Sequence, residues 1–109
     1  MVSLGVTIED LRNEITESSK PCPMKDYRIG TLSRTLLFNL IDDYSRLDQQ
    51  TFETCGDLLL QSVSMVSDKE YKLSQRGRLG CLVKIGLEHS PTLRIPYRYL
   101  SYLALVDKF

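Results

Sequence analysis

Two runs of apolar residues at helical spacing dominate the middle of this chain. Leu32, Leu36, Leu40, Ile41, Tyr44 and Leu47 form the first, with Arg34, Asn39, Asp42, Asp43 and Arg46 opposite them. Phe52, Cys55, Leu59, Val63 and Val66 form the second. A period near 3.6 residues puts each set on one side of an α-helix. Few residues separate Leu47 from Thr51, so the two helices are expected as antiparallel neighbours. Leu37 and Phe38 widen the first arc, which points to a central helix touched on more than one side. Leu58 and Met65 widen the second. Asp48 or Thr51 can cap the second helix, and Gly56 within it either weakens it by about 1 kcal/mol relative to alanine or permits a close crossing.

Upstream, Thr7 and Asp10 resemble a capping box, with Val6 and Leu11 placed as a hydrophobic staple. The spacing predicts a first helix from there to about Ser18, with Ile8, Leu11 and Ile15 facing inward. The stretch SSKPCPMKDYRIG follows. Its prolines and closing glycine read as a connector, and connectors of this length are more often functional than short ones.

The last third admits two readings. Ser67 and Glu70 form a second capping-box pattern. Beyond it, Leu79, Cys81, Val83, Ile85 and Leu87 alternate as a strand does, and Gly77, Gly80 and Gly86 argue against a strong helix. The same residues can instead form a buried helix, capped by Ser74, whose glycines permit tight packing. If Pro96 opens a final helix, Ile95, Tyr99, Tyr102, Leu103 and Val106 share one of its faces. The preferred fold is mainly α, a compact bundle of about five helices. The alternative is α+β, three N-terminal helices plus a C-terminal β-hairpin around 79–103.

With 109 residues, 42% hydrophobic and 26% charged, the chain has the size and composition of one globular domain spanning 1–109. Its longest apolar runs fall far below the roughly 18 residues of a membrane span. The N-terminal stretch carries Glu9 and Asp10 where a secretory signal would be apolar, so an intracellular location, cytoplasmic or nuclear, is expected. Cys22, Cys55 and Cys81 are odd in number and widely spaced, and His89 is the single histidine, so neither a disulfide framework nor a metal site is expected. Cys55 and Cys81 read as packing residues, and Cys22, between two prolines, as the exposed thiol. No cofactor is implied.

Formal net charge is zero, yet charge is unevenly distributed along the chain. Up to Ser67 there are ten acidic and six basic residues; after it, four acidic and eight basic. Such asymmetry suits an acidic partner, self-association, or charges that interleave on folding. His89 lies between Glu88 and Ser90, but adjacent residues do not assemble a catalytic triad. Asp42 and Asp43 diverge by about 100° on a helix and read as a solvated face. The glycines match neither GxGxxG nor a P-loop, although Arg76 and Arg78 beside flexible backbone could clasp an anion.

Arg94, Tyr97, Arg98, Tyr99 and Tyr102 interleave two residue types enriched at protein interface hot spots. They are the expected partner-binding residues of a non-enzymatic interaction or regulatory domain, an adaptor or accessory protein that binds another protein or itself as a homo-oligomer. The leucine-, serine- and arginine-rich, tryptophan-free composition suits a small viral accessory protein. The alternative is a nucleic-acid-binding protein, RNA included, using Arg76, Arg78, Lys84, Arg94 and Arg98 as phosphate contacts. A third is peripheral contact of the same basic half with an anionic membrane.

Overall fold

The computed structural model describes residues 3–16 and 22–103, and these are helical with no strand among them. In chain order they form α1 (Leu4–Thr16), α2 (Cys22–Asp42), a 3-10 turn (Tyr44–Arg46), α3 (Gln49–Met65), α4 (Lys69–His89) and the short α5 (Tyr97–Leu100). The expected helical bundle is present and the β-hairpin is not: 79–89 lie inside α4. Helical burial explains why. Gln75, Leu79, Leu82, Val83 and Gly86 are all buried, at steps of four, three, one and three residues along one helix, whereas Cys81 is only half-buried and Leu87 is exposed. The alternation in the sequence arises because Gln75, Gly77, Gly80 and Gly86 occupy buried positions while Cys81 and Leu87 lie at the margin.

The caps also differ from the sequence pattern. Ser3, not Thr7, caps α1: its Oγ accepts from the Val6 amide at 3.2 Å, and its carbonyl receives the Thr7 amide at 3.0 Å. Thr7 is buried one turn in, where its hydroxyl accepts from Asn39 Nδ2 of α2 at 3.1 Å. Asp48 caps α3 through the Thr51 amide. Asp68, not Ser67, caps α4 through the amides of Glu70 and Tyr71. Residues 22–30, expected within the connector, belong to α2; Pro23 sits in its first turn, where the missing N–H costs nothing. Cys22 opens that helix, and the remainder of the expected connector, like Val106, lies outside the described residues.

The core is built from Leu11 and Ile15 of α1, Ile29, Leu36 and Leu40 of α2, Phe52, Cys55 and Leu59 of α3, and Leu79, Leu82 and Val83 of α4, all essentially inaccessible. The most extensive pairings are α3 with α4, α1 with α2, and α2 with α4; direct contact between α2 and α3 is small. The expected α2–α3 contact is present but limited, since α1 and α4 each pack against both helices, and a polar side chain of α4 links the two. Gln75 Nε2 donates to Ser33 Oγ of α2 and to Ser62 Oγ of α3, each at 2.8 Å. Ser62 donates its own proton to the Leu59 carbonyl, and Arg78 donates to Gln75 Oε1. With these partners in place, the network ties three helices together at low cost for buried polar groups.

A second long-range tie closes the α2–α4 seam. The Asp26 carboxylate, 2% exposed, accepts from the Ser67 amide at 3.0 and 3.1 Å and from the Asp68 amide at 3.0 Å. It thereby satisfies backbone donors beside the start of α4 that would otherwise be left bare.

Candidate interaction surfaces

Two surfaces are candidates for an interaction, the C-terminal Arg/Tyr segment and the outer face of α2. A helix of four residues cannot sustain itself, so α5 depends on what holds it. Tyr99 is the anchor: it has no exposed surface, and its ring meets Phe52 edge-on at 5.9 Å between centroids. The ring lies over Gly56, where a Cβ would collide with Tyr99 Cζ. Its hydroxyl lies 2.5 Å from Asp57 Oδ1 and 3.0 Å from the Glu53 carbonyl, and donates to them. Glu53, Gly56 and Asp57 lie three and four residues apart on α3, which gives one face with a slot between two carboxylates.

Arg98 closes that slot from outside. Its Nε donates to Asp57 Oδ1 at 2.8 Å and its Nη2 to Asp57 Oδ2 at 3.2 Å and Glu53 Oε1 at 3.3 Å, while its guanidinium lies 4.8 Å from the Tyr99 ring centroid. Burial raises the Tyr99 phenol above its ordinary pKa, helped by the Asp57 hydrogen bond and charge. Partial burial pushes Asp57 upward, but the hydrogen bonds from Arg98 and Tyr99 and the Arg98 charge outweigh it, leaving its carboxyl below the usual value. The hydrogen bond to Asp57 raises the Arg98 pKa in turn. Here the two oppositely charged halves of the chain do interleave.

Of the expected partner-binding residues, Tyr99 and Arg98 therefore hold α5 to α3, and Tyr102 packs half-buried against the core. Arg94 is exposed, but its backbone N–H and C=O are taken by the side-chain amide of Gln49, each at 2.9 Å. Tyr97 alone of the five is almost fully exposed, at 90%. Of the five residues of the nucleic-acid alternative, Arg76 and Lys84 are exposed on α4, Arg78 reaches the α2 backbone at Gly30, Arg94 is exposed in the α4–α5 connection, and Arg98 of α5 is ion-paired with Glu53 and Asp57 of α3.

Sequence reasoning does not find the other surface. Met24, Tyr27, Phe38 and Ile41 are 54%, 59%, 58% and 43% exposed, and with Arg34 they form one face of α2 opposite Ile29 and Leu36. Phe38, expected to touch a neighbouring helix, faces outward instead. Tyr27 falls in the expected connector, which conceals its phase relative to Phe38. The signal lies in the spacing, since Tyr27, Arg34, Phe38 and Ile41 are separated by seven, four and three residues.

At the middle of this face α2 comes close to α4. A Cβ on Gly30 would lie a tight 3.3 Å from Tyr71 Cε1 and at an ordinary contact distance of 3.6 Å from Arg78 Nη1, so glycine eases the approach of the Tyr71 ring to the α2 backbone and the guanidinium lies beside it. Arg34 projects one turn further along. Burial lowers the Arg78 pKa, and the neighbouring Arg34 charge lowers it further. Among the described residues, no carboxylate stands within ion-pair distance of either guanidinium. At the other end of the seam, Pro23, Asp26, Ser67, Asp68 and Tyr71 line an open recess of about 360 Å³.

His89 stacks on Tyr44 with ring centroids 3.9 Å apart and planes within 11°, beside Glu88 at 3.8 Å. Among the described residues no three His, Cys, Asp or Glu side chains converge to hold a metal ion, and no helix is long and apolar enough to cross a membrane. Comparison with family models, with curated proteins and with solved structures found no match.

Proposed function

We propose that this chain is a non-enzymatic interaction domain that acts by binding another protein through the outer face of α2. The observation that supports it is the alignment of Met24, Tyr27, Phe38 and Ile41, each close to or above half exposed, on one side of a single helix whose opposite side supplies core. Scattered exposed apolar residues are ordinary; aligned aromatic and aliphatic ones at helical spacing are the usual form of a helix-docking surface. The C-terminal Arg/Tyr segment contributes less to this reading than its composition suggests, because Tyr99 and Arg98 are already engaged by α3. Tyr97 and Arg94 stay available at its edge.

The test is a comparison of proteins retained from an extract of the source cells by immobilised wild-type chain and by a Phe38→Asp/Ile41→Asp variant. Both substitutions are at exposed positions, so stability should stay within about 0.5 kcal/mol per site and the helical circular dichroism should be unchanged. A defined set of proteins is expected to be lost with the variant. Identical sets on both would remove the α2 face from the reading.

A further inference from the structure

The exposed face of α2 carries apolar side chains toward both ends and a cationic middle, with exposed Asp42 one turn beyond Phe38 at the C-terminal margin, and that pattern constrains what can cover it. Tyr27 and Met24 lie toward one end, Phe38 and Ile41 toward the other, and Arg34 between them with Arg78 reaching across from α4. Tyr27 to Ile41 spans about 21 Å at 1.5 Å per residue, the length of roughly four helical turns. A ligand covering only the apolar residues would desolvate two neighbouring guanidiniums without an anion, which is strongly unfavourable. A second copy of the chain paired face to face about a two-fold axis at the centre of the stripe would bring its own Arg34 onto this one, a like-charge encounter. The recess near Pro23 does not offer an alternative anion site, since Asp26 and Asp68 line it.

Building on the function proposed above, we infer that α2 receives an acidic amphipathic helical segment of another protein, whose central carboxylate is held between Arg34 and Arg78 while apolar side chains a turn or two to either side cover Tyr27 and Phe38 with Ile41. Arginine suits the role: its planar fork meets a carboxylate with two parallel hydrogen bonds, and Arg78, already fixed by its bond to Gln75, loses little freedom on binding. At Gly30 the Tyr71 ring packs tightly on the α2 backbone with the Arg78 guanidinium beside it, one turn from Arg34 on the same helix.

The experiment is selection of a displayed library of random 15-residue peptides on the full-length chain, followed by anisotropy titration of the enriched peptides against wild type, Arg34→Glu, Arg78→Lys and Phe38→Asp. Enriched peptides are expected to carry Asp or Glu flanked by apolar residues at helical spacing. Arg34→Glu should weaken them about tenfold or more. Exchanging the central acid for lysine should weaken binding to wild type similarly and restore part of it on Arg34→Glu. Arg78→Lys, which keeps the charge but not the fork, should weaken binding at a temperature where its circular dichroism shows it fully folded, although its melt is lowered by the loss of the donor to Gln75 Oε1. The inference is overturned by no enrichment, by enriched peptides lacking the acid, by equal binding to Arg34→Glu, or by a 15-nucleotide RNA that binds tighter than the peptides and depends on Arg34. It is also overturned if sedimentation velocity shows a dimer of the wild type that Phe38→Asp dissolves. If the peptides fail while the Phe38→Asp/Ile41→Asp variant still loses its retained proteins, the interaction reading stands and only the chemistry of the partner falls.

Discussion

Gly56 and Tyr99 have shapes that depend on each other. The ring occupies the volume that any side chain at position 56 would need, with its hydroxyl stopped by Asp57 and by the Glu53 carbonyl. In an unobstructed helix interior, replacing glycine by alanine is stabilising by about 1 kcal/mol. At this position Gly56→Ala is expected to destabilise by about 1–3 kcal/mol, because overpacking must displace a wholly buried ring. Urea melts of Gly56→Ala, Tyr99→Leu and the double variant make the check: the cost of the alanine should largely vanish once the ring is gone. Additive losses would mean that the two positions do not share space. The same pair shows what a residue-level reading of sequence can reach. Tyr99 is legible as a candidate for the inner face of a last helix, and Gly56 as a site of close crossing, but their meeting across the chain between them carries no local signal.

At the scale of the element, α5 is held by α3 and has no stability of its own. Asp57 is the pivot of that arrangement, since it accepts from both Arg98 and Tyr99. Its carboxyl is held below the ordinary value, so its contribution to stability is complete above the unfolded pKa of about 3.9 and is lost as pH falls through the lower folded value. Asp57→Asn should therefore melt below wild type at neutral pH, and the gap should close as pH is lowered past about 4. A gap that stays constant down to about pH 2.5 would show that the carboxylate charge is not what matters. The helices themselves are legible to different degrees. The α3 stripe can be read directly because its neighbours bury one clean side, while the cap stays open between Asp48 and Thr51 until the structure gives it to Asp48. The α4 pattern cannot, because this helix is enclosed by others and carries Gln75, Gly77, Gly80 and Gly86 where leucine would have announced a core. The first turns of α2 are hidden for a different reason. With Cys22 and Pro23 at one end and Gly30 at the other the segment reads as a turn, and only packing against α1 and α4 makes it helix.

Across the whole molecule, the core places its thiols in unequal surroundings. Burial pushes Cys55 up to about 12 from an ordinary 9.0, while Cys81 is half-buried at the margin. In a Cys22→Ser background, a maleimide at neutral pH should modify Cys81 readily and Cys55 only as fast as the molecule opens globally; equal rates would show that the α3 core breathes locally. The stability that Cys55 gains by staying protonated is present below its ordinary value and is lost as pH climbs toward about 12. The bundle as a class is legible from spacing and composition; its candidate binding face is not, because an exposed apolar stripe and a buried one are identical until the helix has neighbours. Asp26 gives that face a built-in gauge. The amides of Ser67 and Asp68 precede α4 and owe their protection from solvent hydrogen to a carboxylate on another helix, 41 and 42 positions away. Their exchange with deuterium therefore times the parting of α2 from α4, so two backbone protons would register whether an occupant on the outer face of α2 clamps the seam shut or pries it apart.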